Sequence, residues 1–368
     1  MLHKQLKIVG DGPREQIIVE NVDASCVQMS ASSAVIRGLT LRSKVSARPN
    51  GHCAVNISSG QLKLSDCDIS SESLGGIAIH HAAAEPLIRG CTIHHCIVGI
   101  FVYDDGRGTI EDCELHTNAR SSIAISKDGN PIIRRCRIHH GEHSGISVHD
   151  HGQGIIEECD IYQNVRAGIG IMQGSTPVVR RCKIHDSRQF GIFIQEYGRG
   201  TIEYCDIYQN TRAGIGISQG SDPLIQHCVI HDELQFGILI RTRGQGTIKN
   251  CDIMSCVSAG INIIQGGNPF IRRCRIHDGI QAGIYVHEHG RGTIEDCDII
   301  ANGTAGLAIA QGGNPVVRQC QVNDSKHYGI IVRSQGQGTI EYCTLAGNRA
   351  GPWNIEAGCR VRRHRNSV

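Results

Sequence analysis

The chain has 368 residues, a length that can hold two or three ordinary domains. Its 37 basic and 35 acidic residues give a formal net charge of +2, so no bulk field favours nucleic acid or an anionic membrane as a partner. Glycine (45 residues) and cysteine (18 residues) are unusually frequent, whereas aromatic residues make up only 4%.

The N-terminal segment, MLHKQLKIVGDGPREQ, contains no apolar run long enough for a signal sequence. No stretch approaches the roughly eighteen apolar residues of a membrane-spanning helix. A thiol-rich chain without such segments is expected in a reducing compartment, because an oxidising one would cross-link its cysteines. The sequence therefore predicts a cytoplasmic protein that does not contact a membrane.

A segment at residues 35–41, VIRGLTL, introduces a spacing that later segments repeat with cysteine in place of Leu39. From Cys113 onward the cysteine recurs every 23 residues, and we call this column the cysteine ladder. Its members are Cys67, Cys91, Cys113, Cys136, Cys159, Cys182, Cys205, Cys228, Cys251, Cys274, Cys297, Cys320 and Cys343, of which the first two are slightly irregular in spacing. Each period carries Gly-Ile-x-Ile, a Gly or Pro turn and Ile-x-x-Cys-x-Ile, a pattern of short strands between turns. Without helical periodicity, it predicts one coil of a parallel β-helix, whose strands pair one coil on at roughly 4.8 Å.

A single coil cannot be stable on its own. Ordering costs roughly 1 to 2 kcal/mol per residue, whereas about five inward apolar side chains contribute about 1.5 to 3 kcal/mol each. Stacked coils share backbone ladders and need closed ends. We therefore predict one all-β solenoid over residues 1–350, with residues 1–30 as an N-terminal cap or first coils. Residues 351–368, which include Trp353, are expected to form a C-terminal cap or tail.

The ladder cysteines are interpreted as small core side chains. Structural zinc needs four convergent ligands, whereas these thiols stand one coil apart, so neither a metal nor another cofactor is expected. Five cysteines lie outside the ladder and have no assigned role, namely Cys26, Cys53, Cys96, Cys256 and Cys359.

Alternate coils differ, so the full repeat is two coils of 46 residues. Prolines mark every second coil at Pro131, Pro177, Pro223, Pro269 and Pro315. One outward column mostly alternates in sign, as in Glu111, Arg134, Glu157 and Arg180. Opposite charges in register attract by a few tenths of a kcal/mol, so most of these carboxylates are predicted to be surface ion-pair partners.

A three-residue slot between Val or Ile and Gly recurs every 46 residues with a different filling each time. The fillings are Tyr103-Asp104-Asp105, His149-Asp150-His151, Gln195-Glu196-Tyr197, Arg241-Thr242-Arg243, His287-Glu288-His289 and Arg333-Ser334-Gln335. A variable position with constant flanks is typical of a rim presented by a rigid scaffold. Three interpretations stay open: solvated turns without a ligand, a recognition surface and a catalytic site.

Recognition is favoured by an outward column within Gly-Ile-x-Ile, in which bulkier residues alternate with smaller ones. The bulkier set is Phe101, Ser147, Phe193, Leu239, Tyr285 and Ile331, and the smaller set is Ala124, Gly170, Gly216, Asn262 and Ala308. Such a surface offers apolar faces to a sugar ring or a peptide, with polar groups beside them. The predicted ligand-binding residues are Phe101, Tyr103, Asp105, His149, His151, Phe193, Gln195, Tyr197, Leu239, Arg241, Tyr285, His287, Glu288 and His289.

Catalysis would use the acids of the rim, Asp104, Asp150 and Glu196. Two coils span about 9.6 Å, near the upper limit for the carboxylate pair of an inverting glycosidase. The His-acid-His fillings offer too few ligands for a metal site. A further outward column, His139, His185, His231 and His277, is interpreted as solvated.

The units GNPIIRRCRIHHGEHSGISV and GRGTIEDCDI resemble the right-handed β-helix repeats of pectin-lyase-like proteins, found in carbohydrate-binding proteins and sugar hydrolases. The chain looks closest to the β-helix region of substrate-recognising F-box proteins and their bacterial relatives, over roughly residues 30–350. The resemblance implies a single right-handed parallel β-helix. It also implies a scaffold that binds protein partners in one branch and cleaves polysaccharides in another.

We therefore predict a non-catalytic scaffold that binds an extended protein segment or a glycan along the Gly-Ile-x-Ile face and adjoining turns. The alternative is a polysaccharide hydrolase or lyase that uses acids of the same face. No F-box precedes LKIVGDGP, and no lyase or epimerase signature assigns a catalytic residue.

Overall fold

The computed structural model describes residues 2–46 and 51–368. Within these residues the chain consists of short strands, and its single helix is a 3-10 turn at Arg14–Gln16. Contacts divide the chain into two compact units, unit 1 (residues 1–187) and unit 2 (residues 188–368). Each unit is built from three parallel sheets, which we number by their place around the coil.

Sheet 1 holds the Gly-Ile-x-Ile strands, sheet 2 the strands before the ladder cysteine, and sheet 3 those after it. In unit 1, sheet 1 contains Val27–Met29, Cys53–Ile57, Gly75–His80, Val98–Tyr103, Ile123–Ile125, Ile146–Val148 and Ala167–Ile171. Sheet 2 of unit 1 contains Lys7–Val9, Ser33–Arg37, Gln61–Ser65, Leu87–Arg89, Thr109–Glu111, Ile132–Arg134, Ile155–Glu157 and Val178–Arg180. Sheet 3 of unit 1 contains Ile18–Val22, Thr40–Lys44, Asp68–Ser71, Thr92–His94, Glu114–His116, Arg137–His139, Asp160–Tyr162 and Lys183–His185.

Unit 2 repeats this arrangement. Its sheet 1 contains Phe190–Ile194, Ala213–Ile217, Phe236–Ile240, Ala259–Ile263, Ala282–Val286, Ala305–Ile309, Tyr328–Val332 and Gly351–Ile355. Its sheet 2 contains Thr201–Glu203, Leu224–Gln226, Thr247–Lys249, Phe270–Arg272, Thr293–Glu295, Val316–Arg318, Gln337–Glu341 and Arg360–His364. Its sheet 3 contains Asp206–Tyr208, Val229–His231, Asp252–Met254, Arg275–His277, Asp298–Ile300 and Gln321–Asn323.

Residues 23 apart are lateral neighbours, which confirms the predicted parallel β-helix. Ile133 pairs with Ile110 on one side and Ile156 on the other, and all three side chains are 0% exposed. The expected additional coil at residues 35–41 is also confirmed, because Ile36 pairs with Leu64. Alternation along each strand therefore sends one apolar column into the core and the intervening side chains outward.

The ladder cysteines are all free and buried, six in unit 1 and seven in unit 2. The thiol of Cys91 donates to the carbonyl of Arg89 at 3.5 Å and to that of Leu64, in the preceding coil, at 3.6 Å. This confirms their role as compact core side chains. Of the other five, Cys53, Cys96 and Cys256 are buried, whereas Cys26 and Cys359 are partly exposed.

The predicted alternation of charge produces ion pairs between coils. Arg134 lies 2.6 Å from Glu111, whose side chain is only 6% exposed. Arg180 lies 2.6 Å from Glu157 one repeat later in unit 1, and Arg318 lies 3.6 Å from Glu341 in unit 2. Each pair joins neighbouring coils across an otherwise solvent-facing column.

The second and third residues of each rim slot have left-handed backbones, with φ between 45° and 63° from Asp104–Asp105 to Ser334–Gln335. Two successive left-handed residues reverse the chain tightly, as in a type I′ turn. The turn closes when the Gly152 N–H donates to the carbonyl of His149 at 3.0 Å. A Cβ on Gly152 would lie 2.7 Å from the carbonyl oxygen of Ile125, which explains the constant glycine after the slot.

The first and last coils differ in the exposure and contacts of their apolar side chains. Ile8 in the first coil is 39% exposed although its register partner Ile36 is buried. In the last coil, Trp353 is the register partner of buried Ile330, and the guanidinium of Arg363 lies 5.4 Å from its ring. Strands thus extend through both predicted terminal segments, and their role as caps stays a prediction.

Candidate functional site

A groove of about 520 Å³ lies over sheet 1 of unit 1. It is lined by Leu74, Val98, Phe101, Arg120, Ser121, Ala124, His143, Ser147, His149 and Arg166. Arg120, His143 and Arg166 lie on one edge of the groove, and His149 lies on the other. None of the lining residues carries a carboxylate.

The floor of the groove is one register column of sheet 1. Phe101 pairs with Ala124, which pairs with Ser147, which pairs with Gly170. Because the Phe101 side chain is much larger than those of Ala124, Ser147 and Gly170, a step forms beside its ring. A flat apolar wall beside an open floor is suited to a ring-shaped ligand such as a sugar.

Arg120, His143 and Arg166 occupy equivalent places in three successive coils and form the basic edge of the groove. Each lies in the loop that leads from sheet 3 to sheet 1, and the Arg166 N–H donates to the His143 carbonyl at 3.0 Å. Both arginine side chains are exposed. Within the two described ranges, neither arginine forms an ion pair with a carboxylate, unlike Arg134 and Arg180 on sheet 2.

This basic edge departs from the charge pattern of the molecule. Like charges on adjacent coils repel, and the sheet 2 columns avoid this by alternation. Arg120 and Arg166 lie two coils apart with no acid between them, so their weak mutual repulsion is not offset, and a bound anion relieves it.

His143 carries a ring nitrogen suited to proton transfer. Its Nδ1 atom is shielded from solvent and has no hydrogen-bond partner among the described residues. Burial lowers the pKa of His143 below its ordinary value of 6.5, and the charges of Arg166 and Arg120 lower it further. The imidazole is therefore neutral near pH 7, and a neutral imidazole can accept a proton.

Buried amides hold the loops that carry the basic edge. The Asn164 side chain donates to the carbonyls of Ile138 at 3.3 Å and Tyr162 at 3.0 Å. Its Oδ1 accepts the Gly141 N–H at 3.1 Å. Gly141 stands two residues before His143, so Asn164 fixes the turn that presents the imidazole.

The opposite edge of the groove contains His149, which the sequence predicted as a ligand residue. Burial lowers its pKa, although the nearby charge of Asp150 acts in the opposite direction. Predicted Tyr103 lies beyond the lining residues, stacked on Phe101 with ring centroids 4.5 Å apart and on His80 at 5.1 Å. Burial raises the pKa of Tyr103.

The candidate catalytic acids of unit 1 do not line the groove. Asp104 and Asp150 both occupy the left-handed turn after the sheet 1 strand. Lys127 stands in the coil between them, with its backbone N–H on the Asp150 carbonyl and its Nζ atom 3.4 Å from Asp104. Asp105 and His151 are exposed in the same turns. These acids therefore belong to a surface column and do not converge with the basic edge.

Unit 2 has its own groove of about 380 Å³ over its sheet 1. It contains the predicted residues Leu239, Arg241, Tyr285 and His287, together with Arg212, Gln235, Phe236, Ser258, Ala259, Asn262, Ile264 and Gln281. Leu239 is only 3% exposed, so it lies under the groove rather than standing above it.

Aromatic rings hold the cations of this second groove. Arg212 lies 5.2 Å from the Phe190 ring and Arg241 lies 5.9 Å from the Phe193 ring. The two phenylalanine rings stack at 4.4 Å. Burial and the charge of Arg212 lower the pKa of Arg241.

The histidine of the second groove differs from His143 because its nitrogens are already engaged. His287 stacks on Tyr285 at 4.0 Å. Its Nε2 lies 3.1 Å from Asn262 Oδ1 and its Nδ1 lies 3.2 Å from Gln311 Oε1. This groove therefore presents bound, ordered polar groups and no free base.

The remaining predicted residues of unit 2 lie in its rim turns. Glu196 and Tyr197 are left-handed, and Tyr197 is 71% exposed. Glu288 accepts a hydrogen bond from Gln265 at 3.3 Å. His289 is exposed beyond it, and Gln195 is half-buried at the end of its strand.

Sequence reasoning missed the three residues of the basic edge. A signal was present, because positions 120, 143 and 166 are spaced by 23 residues and carry no acid. These positions form an outward column in which the charge does not alternate in sign from one coil to the next. The spacing gives no indication, however, that Leu74, Val98 and His149 lie across the same groove.

Within the described residues, no group of three or more His, Cys, Asp or Glu side chains is arranged to hold a metal ion. None of the helical segments in the described part of the chain is long and apolar enough to cross a membrane.

The parallel sheets define the protein as a parallel β-helix, and each unit has a groove with basic residues over its own sheet 1. The chain belongs to the right-handed β-helix family, whose description, right handed beta helix region, matches residues 25–176, 142–270 and 235–368. No curated protein matches the sequence. The particular likeness to F-box proteins stays a prediction.

Solved structures share the fold at low sequence identity. The A-module of mannuronan C-5 epimerase AlgE6 from Azotobacter vinelandii matches with a TM-score of 0.57 and 11% identity, over 91% of this chain and 90% of that one. The AlgE4 A-module from the same organism gives 0.51 and 13%, over 89% and 90%. The catalytic domain of a GH87 alpha-1,3-glucanase in complex with nigerose gives 0.55 and 15%, over 84% and 65%.

Proposed function

We propose that this protein is a polysaccharide-active enzyme that binds an acidic, uronate-containing polysaccharide in the groove over sheet 1 of unit 1. The epimerase and glucanase named above act on polysaccharides, and this supports the enzymatic alternative over a purely non-catalytic scaffold. The choice of an acidic chain rests on Arg120 and Arg166, whose charges lack acidic partners among the described residues. Arginine binds carboxylates in a planar, two-pronged geometry.

The substrate would lie along the stacking direction. Arg120 and Arg166 are two coils apart, a separation of about 9.6 Å, so they can contact separate carboxylates of one extended chain. The Phe101 ring supplies an apolar face for a sugar ring at the same level of the groove. Ser121 and Ser147 provide hydroxyl groups that can donate to or accept from sugar oxygens.

The chemistry proposed is removal of the proton on the carbon next to the uronate carboxylate. An arginine that neutralises the carboxylate stabilises the negative charge that develops there. The neutral imidazole of His143, which lines the groove, accepts the proton. The electron pair then forms a carbon–carbon double bond while the glycosidic C–O bond breaks, and the leaving oxygen takes a proton from His149 or water. Return of a proton to the opposite face gives an epimer instead.

The observation that carries this proposal is the position of His143 in the groove lining between two arginines without acidic partners among the described residues. The experiment incubates the protein with polymannuronate, polygalacturonate and a neutral glucan in D₂O. Mass spectrometry and ultraviolet absorbance then follow deuterium uptake and formation of the double bond. We expect product from a polyuronate and none from the glucan.

Three variants separate binding from chemistry. His143→Ala should lower turnover by about 10² or more while binding is retained, the scale typical of a general base. The double variant Arg120→Ala, Arg166→Ala should weaken binding itself. Arg181→Ala, at an exposed arginine in the turn after the sheet 2 strand Val178–Arg180, is the matched control and should change neither. Equal turnover of neutral glucan, or full turnover by His143→Ala, contradicts the proposal.

A non-catalytic recognition scaffold is the second candidate. It is favoured by the unit 2 groove, where Arg241 and Tyr285 are ordered and His287 has no free nitrogen. Binding of polyuronate without any turnover by the wild-type protein would select this function. The bound partner would then be a glycan or an extended protein segment with spaced carboxylates.

A further inference from the structure

A row of histidines stands on the outer face of sheet 3 in unit 1, away from the sheet 1 groove. His94, His116 and His139 belong to successive coils, and their rings stack with centroids 5.3 Å and 5.5 Å apart. Two of the three are followed by a second histidine, His95 and His140. The proposed function uses none of these five residues.

The two adjacent pairs share one geometry. The Nδ1 atoms of His94 and His95 are 2.6 Å apart, and those of His139 and His140 are 2.7 Å apart. The rings of each pair are nearly perpendicular, at 86° and 82°. His95 and His140 both have left-handed backbones, with φ of 51° and 53°, which turn each second ring towards the first.

A carboxylate sets the proton position in the first histidine of each pair. The Nε2 atom of His94 lies 3.1 Å from Asp68, and the Nε2 atom of His139 lies 3.1 Å from Glu114. In a neutral imidazole the nitrogen that faces a carboxylate carries the hydrogen, so Nδ1 keeps its lone pair. Metal-binding histidines characteristically donate their other N–H to a carboxylate in this way.

The same chain contains three matched sites where an aspartate replaces the second histidine. His185 and Asp186 in unit 1, and His231 and Asp232 and His277 and Asp278 in unit 2, place Nδ1 within 2.6 to 2.7 Å of the aspartate oxygen. At these three sites the aspartate oxygen accepts a hydrogen bond from the Nδ1–H of the histidine. In each histidine pair the Nδ1–H of the second ring donates to the Nδ1 of the first, and the second ring offers its own lone pair to a metal once that hydrogen moves to Nε2.

We propose that each of the pairs His94–His95 and His139–His140 binds one divalent transition-metal ion of the zinc, nickel or copper type through its two Nδ1 atoms. Imidazole nitrogen suits these ions. Metal–nitrogen bonds of about 2.0 to 2.1 Å require the two nitrogens to stand roughly 2.9 to 3.4 Å apart, so each pair opens by a few tenths of an ångström. Water completes the coordination, since no third side-chain ligand lies in reach among the described residues.

The charge of the site fits a cation. The carboxylates of Asp68 and Glu114 place one negative charge beside each pair, 3.1 Å from the Nε2 atoms of His94 and His139.

The test is a calorimetric titration of the full chain with Ni²⁺ and with Zn²⁺ at neutral pH. Wild-type protein should bind two more ions than the double variant His95→Asp, His140→Asp, which copies the natural aspartate sites. The difference between variants removes any background from other histidines, such as His80 and His81. Turnover of polyuronate should be the same in both proteins, so a failure here is distinct from a failure of the proposed enzyme.

A gain-of-site variant makes the test reciprocal. Asp232→His places a second imidazole beside His231, whose Nε2 already lies 3.0 Å from Asp206, and should add one ion. Equal stoichiometry in wild type and the double variant would overturn the proposal. So would the absence of an added ion in Asp232→His, because a paired imidazole with a supporting carboxylate is all that the site requires.

Discussion

At the scale of single residues, His143 differs from His287 of the second groove by having a shielded ring nitrogen without a partner. His287 is engaged on both sides, by Asn262 and Gln311, whereas the Nδ1 of His143 is shielded and unpaired. A buried polar atom left without a partner costs free energy. The same residue shows how an electrostatic neighbourhood sets reactivity, because Arg166 and Arg120 act on its pKa together with burial.

This neighbourhood predicts the pH dependence of the proposed reaction. Because the pKa of His143 lies below 6.5, its neutral form persists below that pH and the acidic limb of the rate profile should lie below 6.5. Arg166→Ala should move the limb up towards the ordinary value. The free energy of unfolding depends on pH in the same direction. Because His143 binds a proton more tightly in the unfolded chain, its contribution to stability is present above about pH 6.5 and is lost as the pH falls.

Initial rates on polyuronate, measured at substrate concentrations well below KM across the acidic range, check this prediction, because kcat/KM reports the ionisation of the free protein. Arg181→Ala provides the control, since its side chain pairs with Glu158 outside the groove lining and should leave the limb in place. A limb above 6.5 in the wild type would mean that a different group accepts the proton.

At the scale of structural elements, the loop between sheet 3 and sheet 1 decides where the basic edge stands. Asn164 makes three hydrogen bonds inside this loop, to Ile138, Tyr162 and Gly141. The side chain is fully buried, so its partners cannot turn to water when it is removed.

Asn164→Ala should therefore lower the free energy of unfolding by about 1 to 3 kcal/mol, the cost of leaving buried polar groups unpaired. It should also reduce polyuronate turnover, because the Gly141 turn no longer holds His143 in place. Urea unfolding followed by circular dichroism measures the first effect. Glu142→Ala, an exposed residue of the same turn, is the matched control and should change stability by less than about 0.5 kcal/mol. Equal losses in the two variants would contradict the assigned role.

At the scale of the whole molecule, charge alternation couples the two-coil repeat to stability. Within unit 1, removal of residues 132–154 deletes one coil and brings Glu111 opposite Glu157 and Glu114 opposite Asp160. Removal of residues 109–154 deletes two coils and brings Arg89 opposite Glu157 instead. It also joins Ile155 to Gly108, whose φ of 117° is close to the 113° of Gly154 that it replaces.

The two deletions should respond to salt with opposite signs. The one-coil variant should gain stability as ionic strength rises, because screening weakens the new like-charge contacts. The two-coil variant and the full chain keep opposite charges in contact and should lose stability slightly or stay unchanged. Thermal unfolding at low and high ionic strength measures the salt response of each protein. The same response in all three proteins would show that charge alternation does not contribute to stability.

Much of the fold could be predicted because a solenoid converts sequence spacing directly into spatial proximity. Cys91, Ile133 and Glu111 each have their neighbours about 23 positions away along the chain. The parallel strands, the buried thiols and the sign-alternating ion pairs all follow from that one shift. Of the residues predicted to bind a ligand, Phe101 and His149 line the first groove and Arg241 and Tyr285 line the second, and their role in binding stays a prediction.

The amino-acid sequence by itself thus determined which residues stack along the axis, because backbone pairing between identical coils leaves only one register that buries the isoleucines. Only the tertiary structure decided which columns face one another across the coil. That arrangement depends on loop and turn conformation. Turns with two left-handed residues carry Asp104 and Asp150 away from the groove, whereas the loop that Asn164 holds at Gly141 places His143 over it. The 23-residue spacing does not indicate in which direction a loop carries its side chains. The candidate acids could therefore be named from the sequence, whereas only the tertiary structure identified the basic edge.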